Sequence, residues 1–180
     1  EQGTLNQTSN ALDLAIQGAG YFQVTLPSGE YAYTRDGTFS LANDGTIVTA
    51  DGYTLSPGIT IPNNAQSITI DQTGQVQVTV SGQTTAATVG QIQLATFQNE
   101  NGLEAMGQNL FTETQSSGNA ITGTGQSIGF GAIEQGFVEQ SNVNVVSEIT
   151  DLITAQRAYE MNSKVITASD QMLQTLTSLK

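Results

Sequence analysis

The sequence predicts a mainly β fold that ends in one long α-helix. All 19 glycines lie at or before Gly136, and all three prolines lie at or before Pro62. The remaining segment, from about 143 to 180, places apolar residues at steps of three and four, which is the spacing of a helical stripe. Before it, three Asp-Gly pairs separate short β-rich segments. Asp-Gly favours tight hairpin turns, so this part is predicted to be a hairpin-rich β-meander.

The order of these features predicts four segments along the chain. They are an extended connector or inner β segment at 1–20, a β-rich domain at 21–114, a Gly-rich connector at 115–142 and a C-terminal helix at 143–180. The first segment contains an apolar alternation at Leu12, Leu14 and Ile16. Such alternation is typical of a strand with one buried face.

Turn residues and alternation define the strands of the β-rich domain. Residues 21–26 read as a strand that ends at a Pro-Ser-Gly turn, and the Asp-Gly pairs at 36–37, 44–45 and 51–52 predict hairpins. A second hairpin is predicted from 67–70 and 75–80, with its turn at 71–74.

Two further strands are predicted after this hairpin. Apolar and polar residues alternate from 91 to 97, but the register shifts after Leu94, and a β-bulge would explain the shift. Residues 109–114 form another predicted strand. The Gly-rich connector is irregular, with one strand around 128–133.

The C-terminal helix carries the sharpest functional indication. A helix from 145 to 178 would be roughly 50 Å long at ~1.5 Å per residue. Asn144 is a plausible N-cap, and acidic Glu148 and Asp151 complement the helix dipole. A lone helix in water is marginal, so its apolar stripe must pack on a partner or fold back over the β-domain. The residues leave both possibilities open.

Part of this stripe has the spacing of a helix–helix seam. Ile149, Leu152, Gln156 and Tyr159 follow steps of three, four and three. A glutamine in an apolar seam can set the register of paired helices. Alternatively, Gln156 lies at a solvated edge of the stripe. The same stripe continues to the end of the chain through Leu173, Leu176 and Leu179.

Composition excludes several classes of function. The net charge is −12, and residues 1–136 contain eleven acidic residues but one basic residue, Arg35. Nucleic-acid binding requires clustered Lys and Arg, so it is excluded, and anionic membrane surfaces are disfavoured. No apolar run approaches the ~18–20 residues needed to cross a bilayer, so no membrane insertion is expected. Only 11% of residues are charged, which suits close packing among copies.

No residue pattern indicates catalysis, a cofactor or a metal. The chain has no Cys and no His, which removes thiolate ligands and the commonest general base. Asp36, Asp44 and Asp51 lack the ligand spacing of a calcium loop, so we interpret them as turn residues. The glycines from 123 to 131 lack the strand–helix context of a phosphate loop. We therefore predict a protein that is not an enzyme, with no cofactor and no metal site.

Several separated motifs resemble the axial proteins of the bacterial flagellum, which form its rod and hook. They are LDLAIQGAGYFQV at 12–24, YTRDGTFSL at 33–41, GQNLFTETQSSG at 107–118, GFVEQSNVNVVSEITDLITAQRAYEMNSK at 136–164 and DQML at 170–173. The resemblance covers nearly the whole chain in a consistent order. The segment at 107–118 and the modest length of the β-domain favour the distal rod members. The hook protein and other rod proteins of the family remain the alternative.

The resemblance implies a structural subunit that is exported through the flagellar type III apparatus. Such subunits stack into a hollow helical tube that transmits torque for motility from motor to hook. Their terminal helices line the inner layer as coiled coils, and the β-domain forms the outer layer. The implied partners are further copies, other rod proteins, the hook protein and the surrounding periplasmic and outer-membrane rings. The implied location is the basal body, in the rod that spans the periplasm.

The resemblance also assigns assembly residues within the matching C-terminal motif. These are Asn142, Asn144, Gln156, Arg157, Tyr159, Glu160 and Asn162. Family members begin with an N-terminal helix ahead of the position equivalent to residue 1, so a further helix is expected there. Two other classes stay open on the residues alone: a periplasmic or surface binding module, and an extracytoplasmic hydrolase with a convergent acid pair.

Overall fold

The computed structural model describes residues 2–82 and 85–178, with side chains up to residue 174. It confirms the predicted fold class: β-strands up to residue 139, followed by one long helix, α1 (Val145–Ser178). The chain divides into two compact units. The β-unit extends to Ser141, and the helical unit begins at Asn142.

The β-unit consists of short antiparallel strands. In chain order they are β1 (Leu5–Gln7), β2 (Leu14–Gln17), β3 (Tyr21–Thr25), β4 (Tyr31–Thr34), β5 (Phe39–Leu41), β6 (Ile47–Thr49), β7 (Thr54–Leu55), β8 (Ala65–Ile70), β9 (Gln75–Val80), β10 (Ala87–Gln91), β11 (Leu94–Thr96), β12 (Glu104–Gly107), β13 (Leu110–Thr112), β14 (Ile121–Gly123), β15 (Ala132–Gln135) and β16 (Phe137–Glu139). A short 3-10 helix lies at Glu100–Gly102.

These strands form four sheets. The largest has the order β12-β13-β4-β3-β7-β6-β5, and β11 joins it by pairing with both β3 and β14. A three-stranded sheet has the order β10-β9-β8, and two strand pairs, β1-β16 and β2-β15, connect the two ends of the β-unit. Strands from 1–20 therefore pair with strands from the Gly-rich segment.

The core lies between these sheets. One large cluster of buried side chains joins strands that are distant in sequence, and Phe22 packs edge-on against Phe39 with ring centroids 5.2 Å apart. A smaller cluster contains Tyr33, Ala95 and Phe97. The alternation at Leu12, Leu14 and Ile16 is buried as predicted. Ala15 between them is buried as well, because β2 is covered on both faces.

Two of the three Asp-Gly hairpins are confirmed. Gly45 and Gly52 have positive φ angles of 84° and 88° and join β5 to β6 and β6 to β7. The Asp44 carboxylate accepts a 3.0 Å bond from the Thr46 N–H, which closes its turn. The hairpin predicted from 67–70 and 75–80 is also confirmed, because β8 and β9 pair across the turn at 71–74.

The hairpin predicted at 36–37 is wrong. β4 does not pair with β5 but lies between β3 and β13. A Cβ on Gly37 would lie 1.6 Å from the Leu14 carbonyl oxygen, so the glycine is needed for a close backbone approach. The Asp36 carboxylate still forms a local turn by accepting from the Thr38 N–H at 3.0 Å.

The register shift in 91–97 comes from a strand that is buried on both faces and not from a bulge, since Leu94, Ala95 and Thr96 pair with β14 in unbroken register. β10 pairs with β9 and ends at Gln91, whereas β11 starts at Leu94 and pairs with β3 and β14. Ile92 belongs to the large cluster, and Phe97 belongs to the small one. The apolar pattern shifts because Leu94 packs in the large cluster and Ala95, next to it on β11, packs in the small one.

The hairpin between β12 and β13 was not predicted. Its turn residues Gln108 and Asn109 both have positive φ angles, 54° and 60°, which is the backbone of a tight hairpin turn. A Gln-Asn pair is a weak sequence indication of such a turn. β13 confirms the strand predicted at 109–114, and β15 overlaps the strand predicted near 128–133.

Candidate assembly interface

The N-terminus of α1 is capped as the sequence predicts. The Asn144 Oδ1 atom accepts a 3.0 Å hydrogen bond from the Val146 N–H, and the Asn144 carbonyl accepts the first helical bond from the Glu148 N–H at 3.1 Å. The cap satisfies one of the N–H groups that a helix start leaves without a partner. Glu148 in the first turn lies where the helix dipole favours a negative charge.

The apolar side chains of α1 are exposed along its described length. Their fractional exposure runs from 44% at Ile153 to 83% at Tyr159. The helix has 34 residues, or roughly 51 Å at ~1.5 Å per residue. Since helical stability in proteins comes mainly from packing of an apolar face, a helix with this surface requires a partner.

One apolar series on α1 repeats every seven residues. It consists of Val145, Leu152, Tyr159, Ile166 and Leu173. A strict seven-residue repeat drifts by about 20° per heptad on a straight helix, and paired helices absorb this drift by a left-handed supercoil. The spacing of this series therefore matches that of a coiled-coil seam, and we call the side of α1 that carries it the seam face. The packing itself remains a prediction.

The C-terminal half of α1 carries a second apolar face. At about 100° per residue, Val165 and Met172 lie about 100° around the axis from Ile166 and Leu173. The apolar residues that the sequence suggests as one stripe thus divide between two directions. A helix with two apolar faces can pack against two neighbours at once.

The polar assembly residues take different positions around α1. Gln156 lies between Ile149 and Leu152 on the seam face, as the register hypothesis requires. Arg157 and Glu160 are exposed on other sides of the helix, whereas the exposed Asn162 lies beside the seam residues Tyr159 and Ile166, three residues after the first and four before the second. Asn142 precedes the helix. The side chain of Leu176 and the whole of Leu179 lie outside the described residues.

Three threonines that the sequence analysis did not select bond their hydroxyl groups to backbone carbonyls of α1 itself. The Thr150 hydroxyl donates to the Val146 carbonyl at 2.8 Å, and the Thr154 hydroxyl donates to the Thr150 carbonyl at 2.8 Å. Thr167 donates to the Lys164 carbonyl at 2.9 Å. Because the three hydroxyl groups already donate within the helix, a partner that covers them would not bury an unsatisfied donor. Threonines spaced by four residues were the available indication.

The alternative sites in the β-unit have structural explanations. The bonds from Thr46 hold the pKa of the Asp44 carboxyl below its usual value, which fits its role in the turn. In the Gly-rich segment, the Gly125 N–H donates to the Thr73 carbonyl at 3.0 Å, and a Cβ there would lie 2.3 Å from the Gln72 oxygen. This loop packs closely on the turn between β8 and β9. Within the described residues, no helix is both long and apolar enough to cross a membrane.

Comparison with known proteins decides the family. A family model described as the flagellar hook protein FlgE/F/G D1 domain matches residues 15–78. A second, described as flagellar basal body rod FlgEFG protein C-terminal, matches residues 134–179, which include α1. The chain is 60% identical over 180 residues to the flagellar basal-body rod protein FlgG of Caulobacter vibrioides, covering 100% of this chain and 69% of that protein. The chain belongs to the FlgG family.

Other FlgG proteins support the same assignment. The identity is 51% over 178 residues to FlgG of Buchnera aphidicola subsp. Schizaphis graminum, covering 99% of this chain and 68% of that protein. The identity is 45% over 181 residues to FlgG of Bacillus subtilis, covering 96% of this chain and 67% of that protein. As a FlgG-type chain it is a structural subunit of the flagellar distal rod and resides in the basal body. These matches confirm the predicted distal-rod assignment over the alternative, a hook protein.

Proposed function

We propose that this FlgG-type chain assembles with further copies of itself into a hollow helical tube that transmits torque from the motor to the hook. The role is mechanical and not catalytic. The observation that carries the proposal is α1, a helix of 34 residues whose apolar side chains are exposed along its described length. In the tube, α1 lines the inner layer and the β-unit forms the outer layer.

The hydrophobic effect supplies the driving force for this assembly. Burial of apolar surface contributes about 25 cal/mol per Å², so covering a row of side chains such as Leu152, Tyr159 and Leu173 favours association. The seam face would pack as a coiled coil, with Gln156 setting the register. The second apolar face, at Val165 and Met172, would contact a different neighbour. Dense packing among many copies then gives a stiff rod, since close-packed interiors resist compression.

The charge distribution fits the same arrangement. Residues 137–180 contain five acidic and three basic residues, a net charge of −2, whereas residues 1–136 carry −10. A nearly neutral helical unit can pack many times around an axis with little repulsion. The acidic β-unit repels its copies more strongly and is better placed outside, where solvent and salt screen it. Its outer partners are then other rod proteins, the hook protein and the surrounding rings.

Two substitutions in full-length protein test the helical interface. We expect Tyr159→Ala and Leu173→Ala to block polymerisation while the β-unit stays folded, because both residues lie on the seam face. Sedimentation of assembled rods measures polymerisation, and thermal unfolding measures the fold. Lys164→Ala, an exposed change away from both apolar faces, is the control and should assemble normally. Normal sedimentation of rods that carry either seam change would refute the proposed interface.

Electron microscopy of basal bodies tests the place of this chain in the flagellum. In a strain that lacks the gene, we expect a rod that stops short of the outer membrane and bears no hook. A complete rod without a hook would instead identify this chain as the hook subunit. Intact flagella would refute the proposal and would favour the alternative that the protein is a periplasmic binding module.

A further inference from the structure

The chain enters and leaves the β-unit at the same place. β1 and β16 form a two-stranded antiparallel ribbon in which Leu5 is opposite Glu139 and Gln7 is opposite Phe137. Beyond the strands, the Gln140 N–H donates to the Thr4 carbonyl at 2.9 Å. Both ends of the β-unit therefore emerge side by side from one end of this ribbon, and the outgoing end continues into the helical unit.

Arg35 binds this ribbon to the corner between β2 and β3. Its Nη1 donates to the carbonyls of Gly18 and Gly20 at 2.8 and 2.6 Å, and its Nη2 donates to the Ile16 carbonyl at 3.3 Å. Its Nε and Nη2 reach the Glu139 Oε2 atom at 3.1 and 3.0 Å. The guanidinium lies 5.9 Å from the centre of the Tyr21 ring. One side chain thus joins three backbone carbonyls, a ring and a carboxylate.

Glu139 completes the connection to the incoming chain. Its second oxygen, Oε1, accepts a 2.8 Å bond from the Gly3 N–H. A Cβ on Gly3 would lie 1.7 Å from the Gln140 carbonyl oxygen, so only glycine fits between the two chain ends. The exposed fractions of the Arg35 and Glu139 side chains are 23% and 14%, so water screens this ion pair less than a surface pair.

The position of this ion pair matters for a force that acts on the chain ends. Pulling the adjacent ends of an antiparallel ribbon apart opens its hydrogen bonds one after another, beginning at that end. A two-stranded ribbon alone is marginally stable in water. The Arg35–Glu139 pair and the Gly3 bond lie at the end where opening would begin. They anchor both chain ends to the β2–β3 corner before the ribbon bonds carry any load.

We propose that the Arg35–Glu139 pair is the joint that passes force between the helical unit and the β-unit. It acts as a positioning pair, because it fixes the outgoing chain at Glu139. The inference rests on the proposed torque-transmitting function. The geometry also requires arginine, since the single ammonium group of lysine cannot span three carbonyls and a carboxylate in a planar fork.

The test uses full-length protein carrying Glu139→Gln or Arg35→Lys. We expect rods of normal length, a ten-fold or greater increase in amide exchange at Asn6, Thr8 and Gln140, and swimming that fails as the medium is made more viscous. Glu134→Gln is the matched control, because Glu134 lies on β15, where it accepts from Gln72 at 2.9 Å. It should change neither exchange in the ribbon nor swimming under load.

A disulfide gives a rescue that a purely structural role would not predict. The chain has no cysteine of its own, so Gln7→Cys with Phe137→Cys adds a single crosslink across β1 and β16. Directly opposite residues in a non-hydrogen-bonded pair lie about 4.5 Å apart at Cα, within the range for a disulfide. In the Glu139→Gln background, this crosslink should restore swimming under load, and a reducing agent should abolish the rescue.

The outcomes separate this inference from the proposed function. The joint would be refuted if the variants form normal rods with unchanged amide exchange in the ribbon. It would also be refuted if exchange is faster but swimming is normal at every viscosity. Neither result would contradict the proposed tube. If Glu139→Gln stops rod formation, recovery of rods by the crosslink supports the joint, and no recovery overturns it. A wild-type chain that is missing from the rod would instead refute the proposed function itself.

Discussion

The environment of Tyr33 illustrates what burial does to a single side chain. The residue lies on β4 with 3% of its surface exposed, and its ring packs edge-on against Phe97 with centroids 4.8 Å apart. Burial disfavours the charged phenolate, with a smaller contribution from the nearby Glu113 carboxylate, and raises the pKa of Tyr33 to about 12. The sequence alone gives no indication of which face of β4 this residue occupies.

Tyr33 should make the stability of the protein sensitive to alkali. The folded-state pKa of Tyr33 is raised above the ordinary tyrosine value of 10.0, so its contribution to the free energy of unfolding is full below pH 10 and is lost as the pH rises towards 12. We expect Tyr33→Phe to remove the highest-pH step from an ultraviolet titration of tyrosine and to reduce the loss of stability in this window. The exposed Tyr31→Phe serves as the control. A titration that keeps its highest step in Tyr33→Phe would contradict the assignment.

At the scale of elements, the open edge of β8 is closed by one side chain. The Gln135 amide oxygen accepts from the Ile70 N–H at 3.0 Å, and its amide nitrogen donates to the carbonyls of Ile68 and Ala11 at 3.1 and 2.7 Å. The glutamine side chain therefore takes the place of a neighbouring strand. Since an open strand edge can pair with another chain, this contact also protects the β-unit from wrong association.

Replacing Gln135 should expose this edge. We expect Gln135→Ala to lower the free energy of unfolding by about 1–3 kcal/mol, because part-buried β8 groups lose their partners. Gln135→Glu should be at least as harmful, since a carboxylate cannot donate to the two carbonyls. Chemical denaturation and amide exchange at Ile70 measure the effect, with the exposed Gln66→Ala as the control. Wild-type stability in Gln135→Glu would show that the donated bonds contribute nothing.

At the scale of the whole molecule, the two units differ in what stabilises them. The buried hydrophobic residues described in the structure all belong to the β-unit, between Leu12 and Ile133. The helical unit instead exposes its apolar side chains and depends on association. Folding of the β-unit and ordering of α1 should therefore be separate events. Such a division lets a subunit fold first and gain its helical contacts on joining the rod.

Removal of the helical unit tests this division. We expect a chain that ends at Ser141 to unfold cooperatively within a few degrees of the intact protein, because its core is complete. In the intact chain, α1 amides should exchange rapidly in the monomer and slowly in assembled rods. Calorimetry and amide exchange provide these measurements. A large loss of thermal stability on truncation, or slow exchange of α1 in a demonstrated monomer, would contradict the division.

Local chemistry explains which features the sequence could predict. The turns at 44–45, 51–52 and 71–74 depend on a glycine with a positive φ angle. In the first and last of them, an aspartate also accepts a hydrogen bond from the residue two positions later. The start of α1 depends on Asn144 and the next two residues. Each of these causes lies within a few residues of its effect. The composition likewise determined the acidic β-unit and the helix free of glycine and proline.

Long-range contacts decided the rest. Arg35 and Glu139 are 104 positions apart, and only the pairing of β1 with β16 brings the ribbon to the β2–β3 corner. Gly37 looked like a turn residue in the sequence. A glycine is needed there because the Leu14 carbonyl of another strand approaches it closely, and the local sequence cannot show that contact. The shift at Leu94 looked like a bulge because a strand that is buried on both faces leaves the same local pattern. The sequence by itself determined the long helix with its apolar stripe and the turns that join β5 to β6, β6 to β7 and β8 to β9, since these depend on neighbours along the chain. Only the tertiary structure decided which strands pair and where the two ends of the β-unit meet, because those contacts depend on the closure of the whole core.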